Sequence, residues 1–438
     1  MSLFSLQTNQ DAKYPSVLLA IMPLSFIAGN MIININLVLF IISAFFSYKK
    51  EIFSFRLDLI DKIISTFFFI VLFTGVYNDI FFYLEKSWRA DFSTTIKSIL
   101  FFKYLIFYLV LRFCVEKKSL NLKYFFISSS LASIFVCFDI FYQSIFGKDI
   151  FGYGTEGMGR KLGGPFGDEL IAGGFIQRFS LFSFFIVPLF FLKFRNYSKV
   201  LIPILFLIFF TGIMFSGNRM PLIMFIFTLF LTLVFQKQVR KYFLHFCFII
   251  VTAFLIIFNF NSKVKNNFKN FYMQVTEIKT VVTEEKFDYN KSAYFKEFNT
   301  FYDTWLLNKY IGGGIKNFRY YCHYRAPDTS ETYKKYKCNM HPHNYYLEIL
   351  TETGIIGFLI IIVSFLLFFY RSFLKKYFFK STMKNNHIIT PFIFLFIAEI
   401  FPIKSTGSFF TTGNATYLFL ILAILIGLTR LNSIENKF

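Results

Sequence analysis

Apolar runs of about 20 residues recur from one end of this chain to the other. A run of that length can cross the hydrocarbon of a bilayer, and it must do so as a helix, because only a helix satisfies its own backbone polar groups there. Twelve spans are expected, at about 15–29, 31–47, 60–77, 93–113, 124–146, 172–192, 200–215, 220–236, 242–260, 345–369, 388–402 and 412–429. The first two are short and separated only by Gly29 and Asn30, so they read either as a helical hairpin or as one broken span. Composition agrees: 16% of the residues are charged and 55% are hydrophobic, whereas a soluble domain carries about 25% charged residues. Mean hydropathy is +0.54. The expected fold class is an all-α polytopic membrane protein.

The net charge is +21, which invites a nucleic-acid partner. The placement of the charge argues against one, because the basic residues sit in short loops between apolar runs. Alternate loops receive twenty-two Lys and Arg, the short loops opposite only seven. The richer side is expected to face the cytosol, which puts both termini inside. No cleavable signal peptide is visible, since Lys13 precedes a short apolar run without a small-residue cleavage site.

Two segments exceed simple connections, and both fall on the poorer, external side. One is the glycine-rich loop 147–171; the other is the stretch 261–344. The chain therefore divides into spans one to nine over 1–260, a large external loop over 261–344, and spans ten to twelve over 345–438. Long external loops tend to carry function. Within the second, SAYFKEFNTFYDTWLLNKYIGGG has Tyr294, Phe298, Phe301, Tyr302 and Trp305 at helical spacing, ended by Gly312 to Gly314. Such a helix either lies on the membrane surface or packs on the spans.

Of the five cysteines, Cys114, Cys137 and Cys247 lie in or beside apolar spans, as small apolar side chains. Cys322 and Cys338 are the two in the external loop, where an oxidising compartment permits a disulfide. That bridge would close a loop worth roughly 3 kcal/mol in the chain-entropy picture. The competing reading is a metal site built from Cys338, His323, His341 and His343. Cys-x2-His-x-His fits no common zinc spacing, so no metal is expected.

The stretch HPHNYYLEILTETGIIGF turns from polar to apolar at Asn344, a good N-cap for the span beyond it. His343 then sits at the positive end of a helix dipole, which favours the neutral imidazole that a general base needs. The bland alternative is an interfacial polar residue. Arg219 lies in a tight turn between two spans, where a charge is costly unless paired or solvated. Its fork of donors suits phosphate oxygens; the alternative is snorkelling to the interface. Arg319 and Arg325 flank Cys322, and Arg160 lies in the glycine-rich loop. Asp139, Lys103, Arg178 and Glu399 fall within spans and are expected to pair or face a cavity, with pairing the simpler reading.

The pattern His-Asn-x9-Gly-x2-Gly, carried by His343, Asn344, Gly354 and Gly357, has the long external loop just before it. An arginine stands at an outer turn some 120 residues upstream. Together they resemble the O-antigen ligase and O-antigen polymerase superfamily, over about 147–360 and in the twelve-span layout. The resemblance implies a GT-C-like fold and makes His343 the base that activates an acceptor sugar hydroxyl. The family's Arg-x3-Leu motif falls on Arg219, although position four on is Ile223 and the leucine is Leu222. The resemblance also implies a diphosphate-binding arginine in the external loop, Arg319 before Arg325. GMGRKLGGPFGDELIAGGF resembles family members too, with Arg160 as its contributor.

The implied donor is a glycan on undecaprenyl pyrophosphate, and the implied acceptor is lipid A–core or a growing glycan. Transfer would be inverting and free of metal and cofactor, at the periplasmic face of a bacterial inner membrane, with membrane lipid around the protein. The glycines of the 147–171 loop either let it close over the lipid head or serve as plain turns. Two other classes compete with the enzyme. A lipid-linked glycan transporter predicts charges at mid-membrane and no long loop holding His and Arg. A scaffold or sensor leaves the placement of Arg219 and His343 unexplained.

Overall fold

A computed structural model describes residues 13–54, 56–83, 92–154, 161–190, 195–237, 239–260, 262–283, 293–324, 338, 343–379, 386–404 and 407–435. Arg160, Arg325 and His341 lie outside them. The described residues form helices and no strand; a lone bridge pairs Lys148 with Gly154. The protein is an all-α polytopic membrane protein.

The helices are α1 (Lys13–Ala28), α2 (Asn30–Tyr48), α3 (Leu59–Tyr77), α4 (Ser93–Glu116), α5 (Leu122–Phe146), α6 (Ala172–Phe179), α7 (Leu181–Phe190), α8 (Arg195–Phe215) and α9 (Arg219–Phe235). Then come α10 (Phe243–Phe260), α11 (Ser262–Thr283), α12 (Ala293–Leu306), α13 (Phe318–Tyr321), α14 (Tyr345–Phe369), α15 (Lys375–Tyr377), α16 (Asn386–Glu399) and α17 (Thr412–Glu435). Among the described residues, eight helices are long and apolar enough to cross a membrane, and four shorter apolar helices occupy the remaining expected spans. The first two spans are a hairpin: Gly29 turns the chain, and Asn36 of α2 donates back to Leu18 O and Ser25 Oγ of α1. The span expected at 172–192 is broken at Ser180 into α6 and α7. The span expected to reach 402 stops at Glu399.

The two ends of the bundle sort as the charge pattern anticipates. At one end Ser16 of α1 reaches Ser119 in the α4–α5 turn, and Lys117 pairs with Glu51. There too, Arg112, Arg371 and Arg430 face Asp58, Asp61 and Glu116. Asp58 and Asp61 also form the capping box that starts α3. The three arginines are therefore matched by three carboxylates, and they contribute less net positive charge at that end than a bare tally of Lys and Arg suggests. At the other end the α5–α6 loop meets the α8–α9 turn through Leu162 N–H to Ser216 O, 3.2 Å.

Helix α17 runs through the centre, and nearly every side chain from Ala415 to Leu428 is buried. Phenylalanine fills much of the space around it. Phe125, Phe126, Phe182 and Phe392 knit α5, α7 and α16 together with ring centroids 4.8 to 6.2 Å apart. Edge and tilted ring contacts of this kind add to plain area burial. Helix α10 is the opposite case: Leu244, Phe248, Val251, Leu255 and Ile256 are each more than half exposed, as befits a peripheral helix against lipid.

Candidate active site

The site is built on a helix with a deliberate break. Gly354 lies inside α14 with φ +64° and ψ −174°, a conformation open essentially to glycine alone. The break frees the backbone of the preceding turn, and the stretch 309–314 enters it. Gly313 and Gly314 N–H donate to Thr351 O and Glu352 O at 3.0 and 2.9 Å, and Ile355 N–H donates to Lys309 O at 2.9 Å. A Cβ on Gly312 would sit 2.5 Å from Gly354 N, so the two backbones touch because neither residue has a side chain. Asn78, at the end of α3, closes the joint by donating to Gly312 O at 2.8 Å. Gly357, one turn further on, packs where a Cβ would meet Thr353 and approach Ile70 of α3. Gly354 and Gly312 thus seat the 309–314 segment in α14, while Gly357 packs beside α3.

Past the inserted loop the chain forms a small cover. The Glu352 carboxylate accepts from Lys316, Asn317 and Phe318 N–H at 2.8 to 3.4 Å, which anchors the start of α13. Arg319 stands on α13, half-buried, with its guanidinium over the Tyr320 ring. Phe318, Phe301 of α12 and Cys322 form a compact apolar cluster with Leu347 of α14 packed against it. The structure bonds Cys322 to Cys338, with Cα atoms 6.0 Å apart. His323 lies beside that bridge, but bridged sulfurs offer no thiolate to a metal. Helix α12 is amphipathic and packs on α13 and α14 through Phe301, while Phe298 and Tyr302 remain about half exposed. The aromatic stripe is therefore split between a packed face and an open one.

His343 is exposed at the start of α14, and its backbone N–H donates to Glu297 of α12 at 3.4 Å. The three residues after it are each tied to the end of α16. Asn344 caps α14 by accepting from Tyr346 and Leu347 N–H, and its amide donates to Pro402 O at 2.7 Å. Tyr345 OH donates to Glu399 at 2.7 Å, and Tyr346 OH donates to Ile400 O. Because α16 stops early, residues 399–402 form a floor directly under the helix start that carries His343. Asn344→Ala removes both the cap and one of these ties. It is expected to cost about 1–2 kcal/mol, read as a lower thermal midpoint in detergent, with Asn344→Asp keeping most of the cap.

Charge converges on that floor. Arg178, at the end of α6, grips Glu399 with Nη2 at 2.6 Å and Nε at 3.3 Å, and also donates to Asn414 of α17 and to Tyr345 OH. Lys404 donates at 2.6 Å to Glu399 Oε2, the oxygen that also accepts from Arg178 Nε. Burial pulls the Lys404 ammonium down to about 8, with Glu399 opposing the shift. Arg178 and Glu399 are legible in the sequence as intramembrane charges that should pair; Lys404, Tyr345 and Asn414 are not. Opposite charges flanking the end of one apolar span, Glu399 and Lys404, are the signal that would have found them. Lys103, the other basic residue expected to pair, donates to Asn34 at 2.6 Å. Asp139 and Gln143 of α5 accept from Ile150 and Gly164 N–H and so pin the glycine-rich loop.

Arg219 opens α9 on the same end of the bundle. Its Nε donates to Asn267 and its Nη1 to Gln274, both of α11 and both at 2.8 Å, and the guanidinium lies over Phe271. It is therefore a strut for α11, not a side chain snorkelling alone. Phe227, two turns along α9, meets Phe401 of the floor in a tilted ring contact with centroids 5.2 Å apart. Eight residues of helix place Arg219 about 12 Å further out than that level.

No curated protein matches the chain. Residues 204–384 match the family model described as O-antigen ligase, a stretch that holds Arg219, Arg319, His343, Asn344, Gly354 and Gly357. Over that stretch the chain matches the O-antigen ligase and O-antigen polymerase superfamily.

Proposed function

We propose that this protein transfers a glycan from undecaprenyl pyrophosphate to a sugar hydroxyl at the periplasmic face of a bacterial inner membrane, as an O-antigen ligase or polymerase. The observation that carries the reading is His343: exposed, held at a helix start by three successive ties, and set next to the buried Arg178–Glu399–Lys404 cluster. In the reaction the His343 imidazole takes the proton of the acceptor hydroxyl as its oxygen attacks the anomeric carbon. The bond from that carbon to the diphosphate oxygen breaks, with inversion, and the diphosphate leaves with the electron pair. Arg219 and Arg319 neutralise it, along with Arg160 and Arg325, which lie outside the described residues. Fixed guanidinium charge aimed at a leaving group is the kind of electrostatic help that dominates many active sites. No divalent ion is needed in this scheme, and α12 with α13 would shield the acceptor side from water.

The test is the surface polysaccharide of cells carrying Arg219→Ala. A ligase with that change leaves full-length chains on undecaprenyl carrier, while a polymerase leaves single repeats on the core. Full-length surface glycan at the normal level would refute the transferase reading.

A further inference from the structure

His343 is held on its downstream side by Asn344, Tyr345 and Tyr346, which tie the start of α14 to residues 399–402. The upstream side is held differently. The His343 backbone N–H reaches Glu297 of α12 at 3.4 Å, and five residues earlier Cys338 is bonded to Cys322. Cys322 is a fixed point. It is fully buried at the end of α13, in a cluster with Phe301 of α12 and Phe318 of α13, whose ring centroids are 3.9 Å apart. Glu352 of α14 holds the backbone that leads into α13. Leu347 of α14 packs on the same cluster, and so does Cys338. The bridge therefore fastens the chain entering His343 to the body that carries α14.

Chain reach shows what the bridge adds. An extended residue spans at most about 3.6 Å, so the five steps from Cys338 keep His343 within about 18 Å of the bridge. With the bridge open, the covalent tether runs back to Cys322 itself, and its twenty-one steps reach about 76 Å. A tether that long no longer fixes the backbone torsion on the upstream side of His343. That torsion, with the side-chain rotamer, aims the imidazole, and a general base must come within hydrogen-bond reach of the proton it takes.

We propose that Cys322 and Cys338 are positioning residues for His343, so that glycan transfer depends on the oxidation of their bridge. The proposal rests on the transferase reading for the role of the histidine. Forming the bridge removes two electrons and two protons from the two thiols, and a disulfide oxidant outside the membrane takes them up as its own pair of thiols. Opening it with dithiothreitol runs the other way: the reagent becomes a cyclic disulfide and both cysteines regain their hydrogens. The two cysteines act through the backbone that leads into His343.

The experiment uses the purified full chain in nanodiscs. Opening the bridge with dithiothreitol is expected to lower kcat about tenfold, less than the roughly 10²-fold that a misplacement of about 1 Å can cost, with the donor KM within about twofold. Oxidised glutathione is expected to restore the rate. A Cys322→Ala, Cys338→Ala double variant is expected to match the reduced protein and to ignore dithiothreitol. A bridge that serves folding alone would lower the thermal midpoint and leave kcat per folded molecule unchanged, and that result overturns the proposal. A nitroxide on His343→Cys, in a Cys247→Ser background, reads the same question without catalysis. Its spectrum is expected to show greater motion once Cys322 and Cys338 are both replaced by alanine; an unchanged spectrum overturns the proposal. Absence of transfer by the oxidised protein refutes the transferase reading, and the nitroxide still decides whether the bridge holds position 343.

Discussion

Gly354→Ala is expected to prevent the protein from folding normally. The backbone there has φ +64° and ψ −174°, which only glycine adopts readily. A Cβ would also land on the carbonyl oxygen of Tyr310, which is backbone and held in place by its own contacts with α14. Neither the helix nor the inserted loop can yield alone, because the two share hydrogen bonds on both sides of the break. Strain and overlap together are expected to cost more than about 4 kcal/mol, in the range where single changes unfold marginal proteins. The check is the yield of monodisperse protein and its thermal midpoint in detergent. Gly357→Ala provides the contrast. Its φ is not positive, so backbone strain is absent, but a Cβ would lie 2.5 Å from Thr353 Cβ and the turn after the break would have to shift. A smaller loss of thermal midpoint than for Gly354→Ala is expected.

His343→Ala is expected to lower transfer by about 10²–10⁴-fold, the usual worth of a positioned general base, while leaving the fold intact. The side chain is exposed, so its removal opens no cavity. The ties that place this position come from Asn344, Tyr345 and Tyr346 and from the His343 backbone, all of which alanine retains. His343→Gln should be as inactive as alanine, because an amide donates and accepts hydrogen bonds but does not take a proton at neutral pH. The measurement is the rate of transfer by purified protein at saturating donor, alongside the thermal midpoint. An inactive variant with an unchanged midpoint separates a catalytic role from a structural one.

The spans are readable from sequence because a bilayer leaves a long apolar run no choice but helix. Even the short runs, such as the one that becomes α16, show themselves by composition. The hairpin at Gly29 stays ambiguous at that level, since nothing local distinguishes a sharp turn from a kink; Asn36 reaching back to α1 decides it. The glycines of the His-Asn motif are visible as a pattern, but their purpose is not. The segment they admit lies about 40 residues earlier, and only the folded chain brings Tyr310 to Gly354. The same holds for the floor. Arg178 and Glu399 are 221 residues apart, so each reads as a charge needing a partner, yet neither names the other. Arg219 reads as a phosphate ligand; its hold on α11 through Asn267 and Gln274 depends on a helix whose docking no local signal records.

Catalysis of the proposed kind requires His343 and the end of the bundle that carries it to face away from the cytosol. That is tested most directly by labelling His343→Cys, in a Cys247→Ser background, with a membrane-impermeant maleimide on intact spheroplasts. Cys114 and Cys137 are buried and Cys322 is bonded to Cys338, so the introduced thiol carries the signal. Prompt labelling from outside is the expected result. Labelling that requires permeabilised membranes would put this end of the bundle in the cytosol and contradict the proposed transfer at the periplasmic face.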